Sequence, residues 1–244
     1  MTQNSDEFLD AFSAIEKWLK RQAGGERHTP FFQLVDQVSF KSKIIRRYKD
    51  DLKEFGDLRN AIVHERTDCH VIAEPNVRAV SDIKRIEKAI LNPPLVVPMF
   101  QLVVRTRREC ESVGKAVTDM RSGSFSQLPI LSNDNKLVAV LTAETVARWL
   151  ASEFSNDLVS LLDTKIEKVI PHAEDTDHYC ILSRSSTLFD ALSRFEEFAS
   201  RGKDLDAAII TEGGKSEQRL LGIITVYDLP RILSEIGLRG ISAV

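Results

Sequence analysis

The segment RNAIVHE, residues 59–65, sets a guanidinium, an amide and an imidazole within six positions of one another. An imidazole titrating near neutrality can move a hydroxyl or leaving-group proton. A guanidinium can stabilise the charge on a pentavalent phosphate, so Arg59, Asn60 and His64 are candidates for metal-independent RNA cleavage. On a helix advancing about 100° per residue, Asn60 and His64 share a face, and Arg59 lies about 140° from His64 and about 7.5 Å below it. His64 then points about 160° away from the side that Phe55, Leu58 and Ile62 define as buried. The same residues also fit the bland description of a solvated helix surface.

The elements that must position this segment are legible from periodicity. Phe8, Phe12, Ile15 and Leu19 recur at helical spacing, as do Phe40, Ile44, Tyr48, Leu52, Phe55, Leu58 and Ile62, which predicts two long helices. A shorter helix is expected from about Pro30, and another from Asn76 to Leu91 with Val80, Ile83, Ile86 and Ile90 on one face. The run KSKIIRRYK, 41–49, holds five bases and no acid, and so is a candidate for an RNA backbone. Arg46 and Arg47 each precede an aspartate by four residues, Asp50 and Asp51, and ion pairing within the helix is the favoured reading.

The helical pattern stops at LNPPLVVP, residues 91–98, and strand-like runs follow. Beyond the prolines, a helix, two apolar runs about a turn and a further helix occur twice. In the first copy these are a helix from about Arg108 to Met120, LPILSNDNKLVAVL and the helix after it; in the second, TLFDALSRFEEF and DAAIITEGGKSEQRLLGIITVYDLPRIL. Together with the length of 244 residues and 43% hydrophobic content, this predicts an α+β multidomain chain. An all-α bundle over residues 1–92 and a Pro-rich linker at 93–98 precede α/β repeats at 99–160 and 161–244.

Several function classes drop out. Net charge is −3, with 16 basic and 15 acidic groups in residues 1–94 and 17 and 21 in the remainder, so any nucleic-acid contact is local. Cys69, Cys110 and Cys180 are odd in number and far apart, which argues against disulfides and for a reducing, cytoplasmic setting. No basic-then-apolar leader opens the sequence, and LVVPMFQLVV at 95–104 is too short and interrupted to span a bilayer. His70, His172 and His178 lack partners at metal-ligand spacing, so no metal is expected. Walker loops, nucleophile elbows and GxGxxG are absent.

Each copy of the repeat resembles a CBS domain, and the two in tandem resemble the CBS pair; the resemblance covers about residues 95–236. Its most specific piece is GIITVYD, 222–228, which carries the family's small residue, hydrophobic, Thr and terminal Asp pattern. The resemblance implies that Asp228 holds ribose hydroxyls, that Thr225 meets the ribose or phosphate, and that an adenine nucleotide (AMP, ADP or ATP) is the regulatory ligand. Carboxylates accept two hydrogen bonds from a vicinal diol, and strand-to-helix junctions aim N–H groups at phosphates. Tyr227 would stack or hydrogen-bond, and Arg201 or Lys203 would contribute charge. The first copy, AVLTAET at 139–145, keeps Thr142 but has Thr145 where the acid would stand, which weakens or empties one cleft. Thr225 and Asp228 equally suit a helix capping box, and Thr187 and Asp190 have the same spacing at an ordinary helix start.

Arg59, four residues, His64, with Asn60 following the arginine, resembles the signature of HEPN domains, small helical bundles that include dimeric, metal-independent endoribonucleases. The resemblance, over residues 5–92, implies a homodimer whose two Arg–His pairs meet, with RNA as substrate. The expected function is a nucleotide-sensing regulator in which the paired repeats govern a dimeric helical domain. The alternatives are a non-catalytic sensor that dimerises or recruits a partner, and a structural module with empty clefts.

Overall fold

The computed structural model describes residues 3–24, 29–64, 66–67, 70–71, 74–153, 160–175 and 178–237, with the side chains of 64, 66, 67, 70 and 71 excepted. These residues form two compact units, Met1–Pro94 with Ser234–Val244, and Leu95–Leu233.

In the first unit α1 (Gln3–Gln22), α2 (Phe31–Ser39), α3 (Lys43–Arg47), α4 (Lys49–His64) and α5 (Val77–Leu91) enclose one apolar core. Phe8, Ile15, Leu19, Leu34, Ile45, Leu52, Ile62, Ile83 and Ile86 are fully buried in it. The Phe8 ring meets Phe55 edge-on at 5.7 Å, and Phe12 lies 4.4 Å from Phe31. Ser42 and Asn76 cap their helices by accepting from the N–H groups of Ile45 and Ala79, and Lys84 pins α5 to Glu7 of α1 at 2.6 Å. The unit also holds a short antiparallel pair, β1 (Arg66–Thr67) with β2 (His70–Val71), so it is not wholly helical.

The expected helix through Phe40, Ile44 and Tyr48 is corrected by the structure. Phe40 is 78% exposed at the end of α2, and the chain pauses at Tyr48 (φ −101°, ψ 17°) before α4. The periodicity missed this because Ile44, Tyr48 and Leu52 are buried on either side of the pause. Burial raises the Tyr48 phenol above its usual range, and the hydroxyl donates to the Ile236 carbonyl at 3.2 Å.

The second unit begins with a short turn, α6 (Val96–Met99), and then repeats one topology twice. β3 (Arg107–Arg108), α7 (Val113–Gly123), β4 (Gln127–Leu131), β5 (Leu137–Thr142) and α8 (Ala143–Ser152) form the first copy. After α9 (Ile166–Val169) and a 3₁₀ turn at Ile170–His172 come β6 (Tyr179–Ser183), α10 (Leu188–Ala199), β7 (Ala207–Thr211), β8 (Leu220–Ile224), a 3₁₀ turn at Val226–Asp228 and α11 (Leu229–Glu235). In each sheet the first strand pairs parallel with the second, and the second antiparallel with the third. Leu137, Val140, Ala207 and Ile209 form a shared buried layer between the sheets.

The copies exchange their leading segments. Val96 N–H donates to the Ser186 carbonyl just before α10, and Ile166 N–H donates to the Glu111 carbonyl just before α7, both at 2.9 Å. Leu95 bridges Thr187 as Lys165 bridges Ser112, and Ile166 and Val169 sit in the core of the first copy. Leu102 N–H then donates to the Leu221 carbonyl, laying the segment across β8. This crossing explains Gly222 of GIITVYD, because a Cβ there would stand 2.0 Å from the Phe100 carbonyl oxygen. Gly222→Ala should therefore cost about 2–3 kcal/mol, more than the about 1 kcal/mol expected of Gly202→Ala, whose φ of +68° meets open space. Thermal denaturation of both variants checks this; equal melting temperatures would contradict it.

Arg107 locks β3 to α7, reaching Asp119 at 2.6 Å and Glu111 at 3.1 Å. The Arg107 hydrogen bond holds Asp119 below the usual carboxylate range, and the Arg108 N–H, followed by Arg107, does so for Glu111. Depressed carboxylates stabilise the fold above their unfolded pKa values, and that contribution is lost as pH falls through the lowered folded values. Asp119→Asn should thus flatten the decline in melting temperature between about pH 5 and pH 3, and an unchanged slope would remove the role assigned to this lock.

Candidate functional site

The strand-to-helix junction of the second copy is built as a closed turn. Asp228 Oδ2 accepts from the Thr225 N–H at 2.8 Å and from its hydroxyl at 3.1 Å. Asp228 N–H in turn donates to the Thr225 carbonyl at 3.0 Å. Thr187 and Asp190 close the start of α10 in nearly the same way, at 2.9 and 2.8 Å. The capping reading is therefore realised at both places. What separates them is the surroundings. Val226 and Tyr227, inside the junction, are 53% and 82% exposed, whereas Leu188 and Phe189 after Thr187 are buried.

Val226, Tyr227 and Leu229 form one wall of a cavity of about 450 Å³, with Leu192, Phe195 and Ala199 of α10 and Leu205 opposite. Gln127, Glu196, Lys203, Asp204 and Asp206 supply its polar edge. An apolar slot of this size with a few polar groups at the rim has the dimensions of a small-molecule site. The first copy is different. Thr142 and Thr145 are 5% and 3% exposed, their hydroxyls lie 2.9 Å apart, and Thr142 Oγ1 accepts from the Thr145 N–H at 3.0 Å. The hollow beside them is only about 130 Å³, too small for a nucleoside, and is rimmed by Glu144, Glu174, Asp175, Asp204 and Asp206.

Among the residues singled out from sequence, Tyr227 lines the larger cavity, Thr225 and Asp228 frame its junction, and Thr142 borders the smaller hollow. Lys203 lies at both, its ammonium 3.0 Å from Asp175. Sequence reasoning missed the α10 wall, because Leu192 and Phe195 read as ordinary core, and it missed the 204–206 loop, which has no periodicity. It weighed His178 only as a metal ligand, whereas the buried ring lies 2.7 Å from Asp206. The exposed apolar pair Val226–Tyr227 within a junction motif was the available signal.

In the first unit Arg59 and Asn60 lie on α4, where the guanidinium donates to the Asn60 side-chain oxygen at 3.3 Å and Asn60 is exposed. His64 is the last residue of α4, and its side chain, with the expected Arg59–His64 geometry, lies outside the described residues. In the basic run, Arg46 donates to the carbonyls of Ser39 and Phe40 at the end of α2, and Lys49, together with Lys53 beyond the run, reaches Asp36 within 2.9 Å. These lysines hold Asp36 below the usual carboxylate range. Among the described residues no group of three or more His, Cys, Asp or Glu is placed to hold a metal ion, and no helix is long and apolar enough to cross a membrane.

Residues 103–152 match the family model of the CBS domain. The strand and helix order of that match recurs in the second copy, so the second unit is a duplicated α/β fold of which the first copy matches the CBS domain. Similar solved folds include the CBS domain pair of protein MJ0100 in complex with 5′-methylthioadenosine and S-adenosyl-L-methionine, 16% identical with a TM-score of 0.44 over 59% of this chain and 98% of that one. Another is the acetoin utilization protein AcuB of Vibrio cholerae, 16% identical with a TM-score of 0.43 over 62% and 98%. A homoserine O-acetyltransferase of Methanococcus vannielii is 29% identical over 85 residues, so this chain matches 30% of its own length and spans 17% of that enzyme.

If the two capping boxes are equivalent in folding, Asp228→Ala and Asp190→Ala should each lower stability by about 1 kcal/mol. Chemical denaturation measures both, and a neutral Asp228→Ala would show that the carboxylate is not serving as a cap.

Proposed function

We propose that the second unit is a sensor for an adenosine-containing ligand, with AMP, ADP and ATP as the first candidates, and that occupancy governs the helical unit. The observation that carries this reading is the apolar cavity lined by Val226, Tyr227 and Leu229, the neighbours in sequence of Thr225 and Asp228. A base would lie against the apolar lining that includes Phe195 and Tyr227, gaining contact area there. Asp228 spends Oδ2 on the cap, and among the described residues no hydrogen bond is drawn to Oδ1, which would accept from a ribose hydroxyl. The match of residues 103–152 to the CBS domain supports the same assignment. The buried threonines of the first copy support a single working cleft.

In the same proposal, two chains pair through their helical units in the cytoplasm, and Arg59, Asn60 and His64 of both form one RNA-cleaving site. His64 moves the 2′-hydroxyl proton and Arg59 stabilises the phosphorane charge, without a metal. The exposure of Asn60 and its contact with Arg59 support an outward-facing motif.

The closure of Thr225 on Asp228 favours a second reading, in which the junction only caps and the module is structural. Thermal shift separates the two. Adenosine compounds should raise the melting temperature of the wild type and of Asp190→Ala, and should fail to do so for Asp228→Ala. No shift with any of them would establish the structural reading. For the helical unit, metal-free cleavage of a mixed RNA pool should be lost in His64→Ala and should change on adding ligand. No cleavage by the wild type would leave a non-catalytic sensor.

A further inference from the structure

The corner between α2 and α3 presents an aromatic ring that its own unit leaves uncovered. Phe40 closes α2 with helical dihedrals (φ −68°, ψ −29°) and is 78% exposed. The corner that holds it is tightly bonded. The N–H groups of Lys41 and Ser42 both donate to the Val38 carbonyl, at 3.0 and 2.8 Å, and the buried Ser39 hydroxyl donates to the Asp36 carbonyl at 2.7 Å. Arg46 reaches back from α3, donating from Nε to the Ser39 carbonyl at 3.3 Å and from Nη2 to the Phe40 carbonyl at 3.2 Å. These bonds satisfy the last carbonyls of α2 and hold the Phe40 backbone where its ring faces solvent.

The charge beside that ring is of one sign. Lys41 and Arg46 are exposed, and among the described residues neither is paired with a carboxylate, since the Arg46 donors go to neutral carbonyls. One turn back, Asp36 is shared by Lys49 and Lys53, so two ammonium groups meet one carboxylate. The acids that follow, Asp50 and Asp51, occupy the first turn of α4, where a helix N-terminus suits negative charge. Gln37 and Lys41, on either side of Phe40 in sequence, are exposed, so its surroundings are polar and cationic.

An exposed ring flanked by unpaired cations complements an unpaired base with its phosphates, because every base has a face to stack and cations follow the backbone. The interior of a duplex keeps its base faces stacked on one another and offers Phe40 nothing to lie upon. An apolar peptide would use the ring alone and leave Lys41 and Arg46 without a counterpart. We infer that the α2–α3 corner is a contact site for single-stranded RNA, with Phe40 stacking on one base and Lys41 and Arg46 meeting the adjoining phosphates. Arg46 spends Nε and Nη2 on the corner and keeps Nη1 for a phosphate oxygen. The inference rests on the RNA reading above for its choice of strand, and it uses residues outside the Arg59–Asn60–His64 motif.

The test is fluorescence anisotropy of the full chain with a labelled 2′-O-methyl oligonucleotide of about 12 nucleotides, which offers bases and phosphates but no 2′-hydroxyl for cleavage. Phe40→Ala should weaken binding about tenfold and leave its salt dependence unchanged, and Phe40→Tyr should keep the wild-type affinity. Lys41→Gln should make the slope of log affinity against log salt shallower by about 0.7, the share of one phosphate on a single strand. A wild type that does not bind, or a Phe40→Ala chain that binds as tightly as the wild type, would overturn the inference. Conversion of a dimer to a monomer by Phe40→Ala, read by sedimentation, would also overturn it, by placing the ring between two copies. Cleavage of unmodified RNA by the same samples separates the two readings. Binding through Phe40 without cleavage would remove the RNA-cleaving site and keep this contact, whereas cleavage indifferent to Phe40→Ala, with binding also unchanged, would do the reverse.

Discussion

The second unit depends on a reciprocal loan of backbone. Each copy sends its leading segment to hydrogen-bond beside the first helix of the other, Val96 to Ser186 and Ile166 to Glu111. Neither copy completes its own core, since Ile166 and Val169 fill the first and Val96 and Phe100 are buried against the second. A buried backbone segment needs partners for its N–H and C=O groups, and the exchange supplies them in both directions. The close approach of the Phe100 carbonyl to Gly222 follows directly, which gives the glycine of GIITVYD a packing reason independent of any ligand.

That arrangement also produces the asymmetry between the clefts. Both copies place a threonine where a strand gives way to a helical turn and close it on the residue three positions on, but one closes with a carboxylate and the other with a hydroxyl. Thr145 sits inside the fold beside Thr142, which leaves a small polar hollow, whereas Asp228 lies between Tyr227 and Leu229, which line an apolar cavity. Duplication thus yields two similar backbones and two different chemistries, decided by a handful of side chains around each junction.

Much of this was legible in the sequence because it is local. The helix start at Asn76, the cap at Thr187, the amphipathic faces of α5 and α10, and the substitution of Thr145 for the expected acid follow from short-range spacing, and the repeat from the recurrence of such local patterns. The pause at Tyr48 was hidden because burial continues through it, and the exposure of Phe40 because an aromatic at the right spacing reads as core. The segment exchange and the 204–206 rim were not legible, since they join residues far apart in the chain and carry no periodicity. Arg46 illustrates the same limit: sequence paired it with Asp50, four residues on, but it hydrogen-bonds the end of the preceding helix at Ser39 and Phe40.

The central claim is that the cavity between α10 and the Val226–Leu229 junction receives an adenosine ligand. Hydrogen exchange followed by mass spectrometry on the full chain, with and without saturating adenosine, locates the ligand without presuming a site. The account predicts slowed exchange at the junction following β8 and along α10, with the smaller hollow beside Thr142 unchanged. Protection confined to the first copy, or none in the second unit, would contradict it.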